Sequence, residues 1–185
     1  MILNIEEKRI LIELARKSIE HAVLKKNKFQ APAKWQIPKF NNKSASFVTL
    51  KINDDLRGCI GSVQPRQNLI ADITENAVSS ALKDPRFPPV THEELEMITI
   101  EISILHDFEL IENRGRENLL KIIKPNIHGL IIEENFRRAT FLPSVWDALP
   151  TPEIFLGKLL LKAGLPGSYW SEKIKITLYK TESFT

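Results

Sequence analysis

The stretch from Met97 to Leu105 puts the tightest limit on the fold. Ile98, Ile100, Ile102 and Ile104 alternate with Thr99, Glu101 and Ser103, and a period of two belongs to a half-buried strand with one apolar and one polar face. One such strand cannot hide its isoleucines alone. It needs paired strands and a covering layer. The partners are legible. Phe47–Ile52 alternates, Asn53-Asp54-Asp55 is turn chemistry and Leu56–Val63 returns, which predicts a hairpin. Gly129–Glu134 and Arg138–Leu142 form a second strand pair around Glu134-Asn135, and Ile174, Ile176 and Leu178 alternate in a last strand.

The covering layer is helical. Asn4 with Glu7 makes a capping-box pattern, followed by Ile10, Leu11, Leu14, Ala15, Ile19, Ala22 and Val23 in one stripe. A second helix is expected from Asn68 to Lys83, with Leu69, Ile70, Ile73, Ala77 and Ala81 inward. It stops at Asp84-Pro85, because the residue before proline avoids the helical region. Thr91 with Glu94 predicts a short capped helix. Further helices are expected around Arg116–Ile123 and from Thr151-Pro152 to Gly164. Antiparallel hairpins with helices inserted between them make the fold class α+β, a mainly antiparallel sheet with flanking helices. The 185 residues, 43% hydrophobic, suffice for one domain over residues 1–185, or two small lobes sharing one core.

Composition narrows the setting. The apolar runs fall far short of a bilayer span, and Glu6, Glu7 and Arg9 interrupt any apolar start. The single cysteine excludes an internal disulfide framework and a cysteine-cage zinc site. A cytoplasmic protein with no membrane association is expected. The net charge of +3 is unevenly placed: Lys25–Lys43 holds six lysines and no acid, interleaved with Phe29, Trp35 and Phe40. Such a segment can track a nucleic-acid backbone, but the favoured reading is a solvated connector whose aromatics pin it to the core. GxGxxG, GxxxxGK[ST] and GxSxG are all missing, so no cofactor motif is present.

Several segments, taken in order, resemble one family. Leu56-Arg57-Gly58-Cys59-Ile60-Gly61, preceded by Phe47-Val48-Thr49-Leu50, is similar to the hallmark of the AMMECR family, whose prokaryotic members are called AmmeMemoRadiSam system protein A. Ala81-Leu82-Lys83-Asp84-Pro85-Arg86-Phe87-Pro88-Pro89-Val90, His128-Gly129-Leu130, and Lys162-Ala163-Gly164-Leu165 with Trp170 resemble its other elements, over about residues 5–184. The resemblance implies an α+β fold with two unequal lobes and a cleft between them. It also implies partners, a Memo-like protein and a radical-SAM enzyme, and leaves the activity unassigned. Two positions depart from the family pattern: Ser62-Val63 stands where Thr and an aromatic are expected, and Leu160 where many members have cysteine.

The candidate chemistry centres on Cys59. Arg57 and Cys59 share a strand face, and a guanidinium near a thiol favours the nucleophilic thiolate. Gly58 and Gly61 leave backbone bare, so a ligand or another chain segment can approach. A nucleophile needs a base, and of His21, His92, His106 and His128 only His128 lies in a family element. The expected catalytic pair is Cys59 and His128. Arg57, Gly58, Gly61 and Arg86 are expected to bind an anionic ligand, Arg86 presenting a planar fork from a proline-stiffened loop. No metal is expected. Glu101, on the polar strand face, is the carboxylate that could join His128 in a metal site, and further ligands would be needed. A non-catalytic adaptor docking a protein partner is the alternative to a ligand-binding or enzymatic role.

Overall fold

The computed structural model describes residues 3–185. The chain forms two compact units: one runs to Ile104 and takes in Glu182–Thr185, the other is Leu105–Thr181.

The first unit begins with α1 (Ile5–Glu20), held by both halves of the capping box: Glu7 N donates to Asn4 Oδ1 at 2.9 Å and Asn4 N to Glu7 Oε2 at 2.8 Å. Ile10, Leu11, Leu14, Ala15 and Ile19 are buried. Ala22 and Val23 are only half-buried, because the helix loosens into a π-helical turn, His21–Lys25. Strands β1 (Lys43–Ile52) and β2 (Asp55–Gly61) pair antiparallel, with Phe47 opposite Gly61 and Leu50 opposite Gly58. A two-residue β3 (Gln67–Asn68) pairs with the start of β1 and leads into α2 (Leu69–Leu82), whose N-cap Asn68 accepts from Ala71 N at 2.9 Å. Strand β4 (Thr99–Ile111) gives the order β2-β1-β4, and Lys51 on β1 pairs with Glu101 on β4 at 2.9 Å. Ile98, Ile100, Ile102 and Ile104 join Val48, Leu50, Ile73, Ala77 and the α1 stripe in one apolar cluster.

One expected element is absent. Residues 92–97 form turns, not a helix. Thr91 N does donate to Glu94 Oε2 at 2.8 Å, so half of the box exists. But Arg57 grips the same carboxylate, and Arg16 donates to the carbonyls of Leu95 (3.0 Å) and Ile98 (2.6 Å). The segment keeps only single-turn backbone bonds, Leu95 N to His92 O (3.2 Å) and Met97 N and Ile98 N to Glu94 O (3.0 and 3.2 Å), and side chains from other elements fix it there. The basic connector is pinned as expected: Trp35 and Phe40 are buried in the cluster, Phe29 packs against it, and Lys39 bonds Glu7 at 2.8 Å.

In the second unit β5 (Gly129–Glu134) pairs antiparallel with β6 (Arg137–Phe141) and with β7 (Lys175–Phe184). Helices α3 (Arg116–Ile122) and α4 (Pro152–Lys162) cover it, α4 capped by Thr151 as expected. A separate cluster holds Leu130, Ile132, Ile176, Trp146, Phe155, Leu156 and Leu159, with the Trp146 and Phe155 rings stacked 3.8 Å apart at 3°. Leu160, at the position where relatives were expected to carry cysteine, is fully buried there.

The fold is therefore α+β with an antiparallel sheet and flanking helices. The capping box is a local, separable term. Asn4→Ala should cost about 1 kcal/mol, read as a lower urea midpoint with an unchanged slope.

Candidate functional site

The hallmark strand β2 lies at the sheet edge, and α2 holds it through polar groups. Asp72, Asn76 and Ser80 recur every four residues along α2, and all three are buried. Asp72 accepts from Ser46 Oγ (2.6 Å), Ser62 Oγ (2.8 Å) and Asn76 Nδ2 (3.0 Å). Burial pushes its carboxyl above the usual range, against the opposing pull of the serine hydroxyls. Ser62 is the residue where threonine was expected, and its hydroxyl keeps a donor that threonine also offers. The Ser80 hydroxyl accepts from Ile60 N at 2.8 Å and donates to Val48 O at 2.7 Å. Since Val48 and Ile60 are register partners, the hydroxyl bridges the β1–β2 ladder at this point. Asp72, Asn76 and Ser80 were not singled out from the sequence. The four-residue spacing was the available signal, beside the apolar Ile73, Ala77 and Ala81.

Asp84 continues the series beyond the helix. It is buried and accepts four hydrogen bonds: Cys59 N at 2.8 Å, and from Arg86 its N (3.1 Å), Nε (2.9 Å) and Nη2 (2.6 Å). The Arg86 guanidinium, then the two backbone donors, hold its carboxyl well below the usual carboxylate range against the cost of burial. Arg86 Nη2 also donates to Cys59 O at 3.3 Å. Both backbone groups of Cys59 are thus capped by the proline loop, which protects an exposed edge.

The two arginines differ in kind. Arg57, 12% exposed, donates to Glu94 through Nε (2.7 Å) and Nη2 (2.9 Å), while its Nη1 is buried without a partner among the described residues. The Arg86 side chain is 52% exposed and its Asp84 partner only 2%. The Phe87 ring lies within cation–π reach of both, 5.9 Å from Arg57 Cζ and 5.5 Å from Arg86 Cζ. The structure makes Arg57 the clamp on the 92–97 turn. Arg86 is the one whose guanidinium faces outward.

Cys59 is half-buried, and its sulfur accepts from Thr49 Oγ1 at 3.3 Å. Arg86 holds its proton more tightly than an ordinary arginine, first through Asp84 and to a smaller degree through the Cys59 side chain. The guanidinium reaches Cys59 at its backbone carbonyl. The bare backbone at Gly58 and Gly61 is filled from within the unit. A Cβ on Gly58 would collide with the Ser80 carbonyl oxygen, and one on Gly61 with the Phe47 ring and the Ser46 carbonyl.

His128 belongs to the second unit, just before β5. Its Nδ1 accepts from Lys124 N at 3.3 Å. Burial, then Lys124 and Lys180, lowers its pKa. Neutral imidazole with Nδ1 accepting carries its proton on Nε2, so the ring presents a donor there and not a basic lone pair. Glu101 is engaged by Lys51, and no group of three metal-ligating side chains occurs among the described residues. No helix among them is long and apolar enough to cross a membrane.

These features describe an α+β protein whose edge strand is locked to a proline loop by a buried carboxylate, with a guanidinium bonded to the backbone of the one cysteine. The AMMECR1 family model matches residues 12–184, and the chain belongs to that family. It is 40% identical to the protein MJ0810 of Methanocaldococcus jannaschii, covering 99% of this chain and 92% of that one. It is 34% identical to a protein of Methanothermobacter thermautotrophicus, covering 98% and 95%. The crystal structure of an uncharacterised protein, PH0010, from Pyrococcus horikoshii is similar at a TM-score of 0.91 and 34% identity, covering 98% of this chain and 92% of that one.

Two outcomes follow. Gly58→Ala should destabilise the protein by about 2 kcal/mol, because rigid backbone must yield, and thermal or urea unfolding reads it directly. Asp84→Asn should cost about 2 kcal/mol at pH 7. Asp84's folded pKa is depressed, so its contribution is present above the unfolded value of 3.8 and is lost as pH falls below it. Urea unfolding from pH 7 to pH 3 should therefore show the gap between the two proteins narrowing with acid.

Proposed function

We propose that this chain is a cytoplasmic small-anion-binding component that works beside a Memo-like protein and a radical-SAM enzyme, with Arg86 and Cys59 as its working pair. The setting and the partners come from family resemblance. The site reading rests on one observation: a half-exposed guanidinium, fixed by a buried carboxylate, bonds the backbone carbonyl of Cys59 at 3.3 Å, the residue that carries the half-buried thiol. The negative end of the Asp84–Arg86 pair is inside and the positive end outside, so an anion meets the cation first. A thiol is the one nucleophile at this spot. Arg57 has its fork filled by Glu94 and serves as a positioning residue. His128, which belongs to the second unit and accepts from Lys124 N through Nδ1, is not used in this reading.

The pair is tested by the labelling rate of the single thiol with an anionic reagent, dithiobis(nitrobenzoate), and a neutral one, iodoacetamide. The native protein should react with both. Arg86→Gln should slow the anionic reagent about threefold relative to the neutral one, and Arg86→Lys should restore most of the ratio. No labelling before unfolding, or a ratio indifferent to the charge at position 86, would defeat the ligand-site reading and favour the protein-docking adaptor.

A further inference from the structure

The first unit holds a second feature, distant in character from the thiol. A cavity of about 610 Å³ lies between the end of α1 and one stripe of α2, within the range of small-molecule sites, about 300–1,000 Å³. Ala22, Ala71, Val78 and Leu82 give it an apolar floor. Lys26, Lys28 and Lys83 stand around it, and none of the three has an ion-pair partner among the described residues. The one carboxylate in its wall, Glu75, accepts from Gln67 Nε2 at 2.8 Å and keeps its charge, so three cations stand against one anion. The wall is therefore cationic above and apolar below.

The backbone beside the cavity is unusual too. The π-helical turn His21–Lys25 is followed by Lys26 in the left-handed region, at φ 51. A non-glycine residue pays about 1 kcal/mol to sit there, and π turns gather at functional sites. Here the arrangement sends both the Lys26 and Asn27 N–H groups back to His21 O and sets Lys26, Asn27 and Lys28 along the cavity.

We propose that this cavity binds a small organic anion, with an aromatic or aliphatic body on the Ala22–Val78 floor and a phosphate or carboxylate head among Lys26, Lys28 and Lys83. Lysine ammonium groups hold such heads as point charges. A polynucleotide is the less suited occupant, because the aromatics of the basic segment are packed into the core and give bases nothing to stack on. None of the lining residues belongs to the Cys59–Arg86 pair, so the two sites can fail independently.

The test is a fluorescence titration of the native protein with 8-anilinonaphthalene-1-sulfonate, an aromatic body with one anionic head. Saturable one-to-one binding is expected. The combined Lys26→Gln, Lys28→Gln and Lys83→Gln variant should weaken it about tenfold, with an unchanged thermal midpoint confirming the fold. Lys121→Gln with Lys124→Gln, in the other unit, should leave it unaltered. Displacement by adenosine monophosphate identifies a phosphate head, and displacement by a medium-chain fatty acid a carboxylate. Should the triple variant perturb folding, Lys83→Gln alone still has to weaken binding. Absence of saturation, affinity indifferent to the lysines, or displacement by a single-stranded oligonucleotide alone would overturn the proposal.

Discussion

The Asp84 carboxylate is the constraint on which the family segments depend. A buried charge is tolerated only when its lone pairs are filled, and here four donors fill them, one from the hallmark strand and three from Arg86. That coordination ties two segments twenty-five residues apart into one rigid patch. It explains why Asp84 follows the helix directly: α2 must end where a carboxylate can reach Cys59 N. Asp72, Asn76 and Ser80 extend the same logic upstream: Ser80 holds Ile60 of the edge strand, while Asp72 and Asn76 hold Ser46 on β1, and Asp72 also holds Ser62 just past β2. Gly58 and Gly61 belong to that fastening, because they let α2 and Phe47 come close.

The parts of the fold decided by local chemistry were readable in the sequence. Asn4 with Glu7, Asn68 and Thr151 before Pro152 each cap the helix they announce, since a cap is a bond between near neighbours. The isoleucine alternation marked β4 because a two-residue period has one structural solution. Where other elements decide, the sequence was silent or misleading. Thr91 and Glu94 carry a capping pattern, yet Arg57 and Arg16, far away in sequence, hold those residues as turns. The loosening of α1 at His21 and the extension of β4 to Ile111 carried no periodic signal either.

At the site, residue type was legible and role was not. Arg57 and Arg86 look alike in a sequence, and both were expected to meet an anion. What separates them is the position of their carboxylates. Glu94 takes the Nε–Nη2 edge of a mostly buried Arg57, whereas Asp84 sits behind Arg86 and leaves half of its side chain exposed. The glycines likewise announced a close approach without saying by what, and the answer is the chain itself. The polar stripe of α2 was overlooked because an amphipathic reading weighs apolar positions. Buried polar residues at the same spacing are equally informative, since each must find a partner.

Charge placement then separates two kinds of surface on the first unit. At the hallmark, Arg57 with Glu94 and Arg86 with Asp84 cancel pairwise, so the patch has an outward dipole and little net charge. Its attraction for an anion is short-ranged and depends on the fit to one guanidinium edge and one thiol. Around the α1–α2 cavity three lysines outnumber the single Glu75 carboxylate, so a net positive field reaches about a Debye length into solvent and falls with salt. A chain using both would draw anions broadly to the cavity and select among them narrowly at Cys59. The uneven distribution of lysines along the sequence and the pairing of the motif arginines are consequences of the same division.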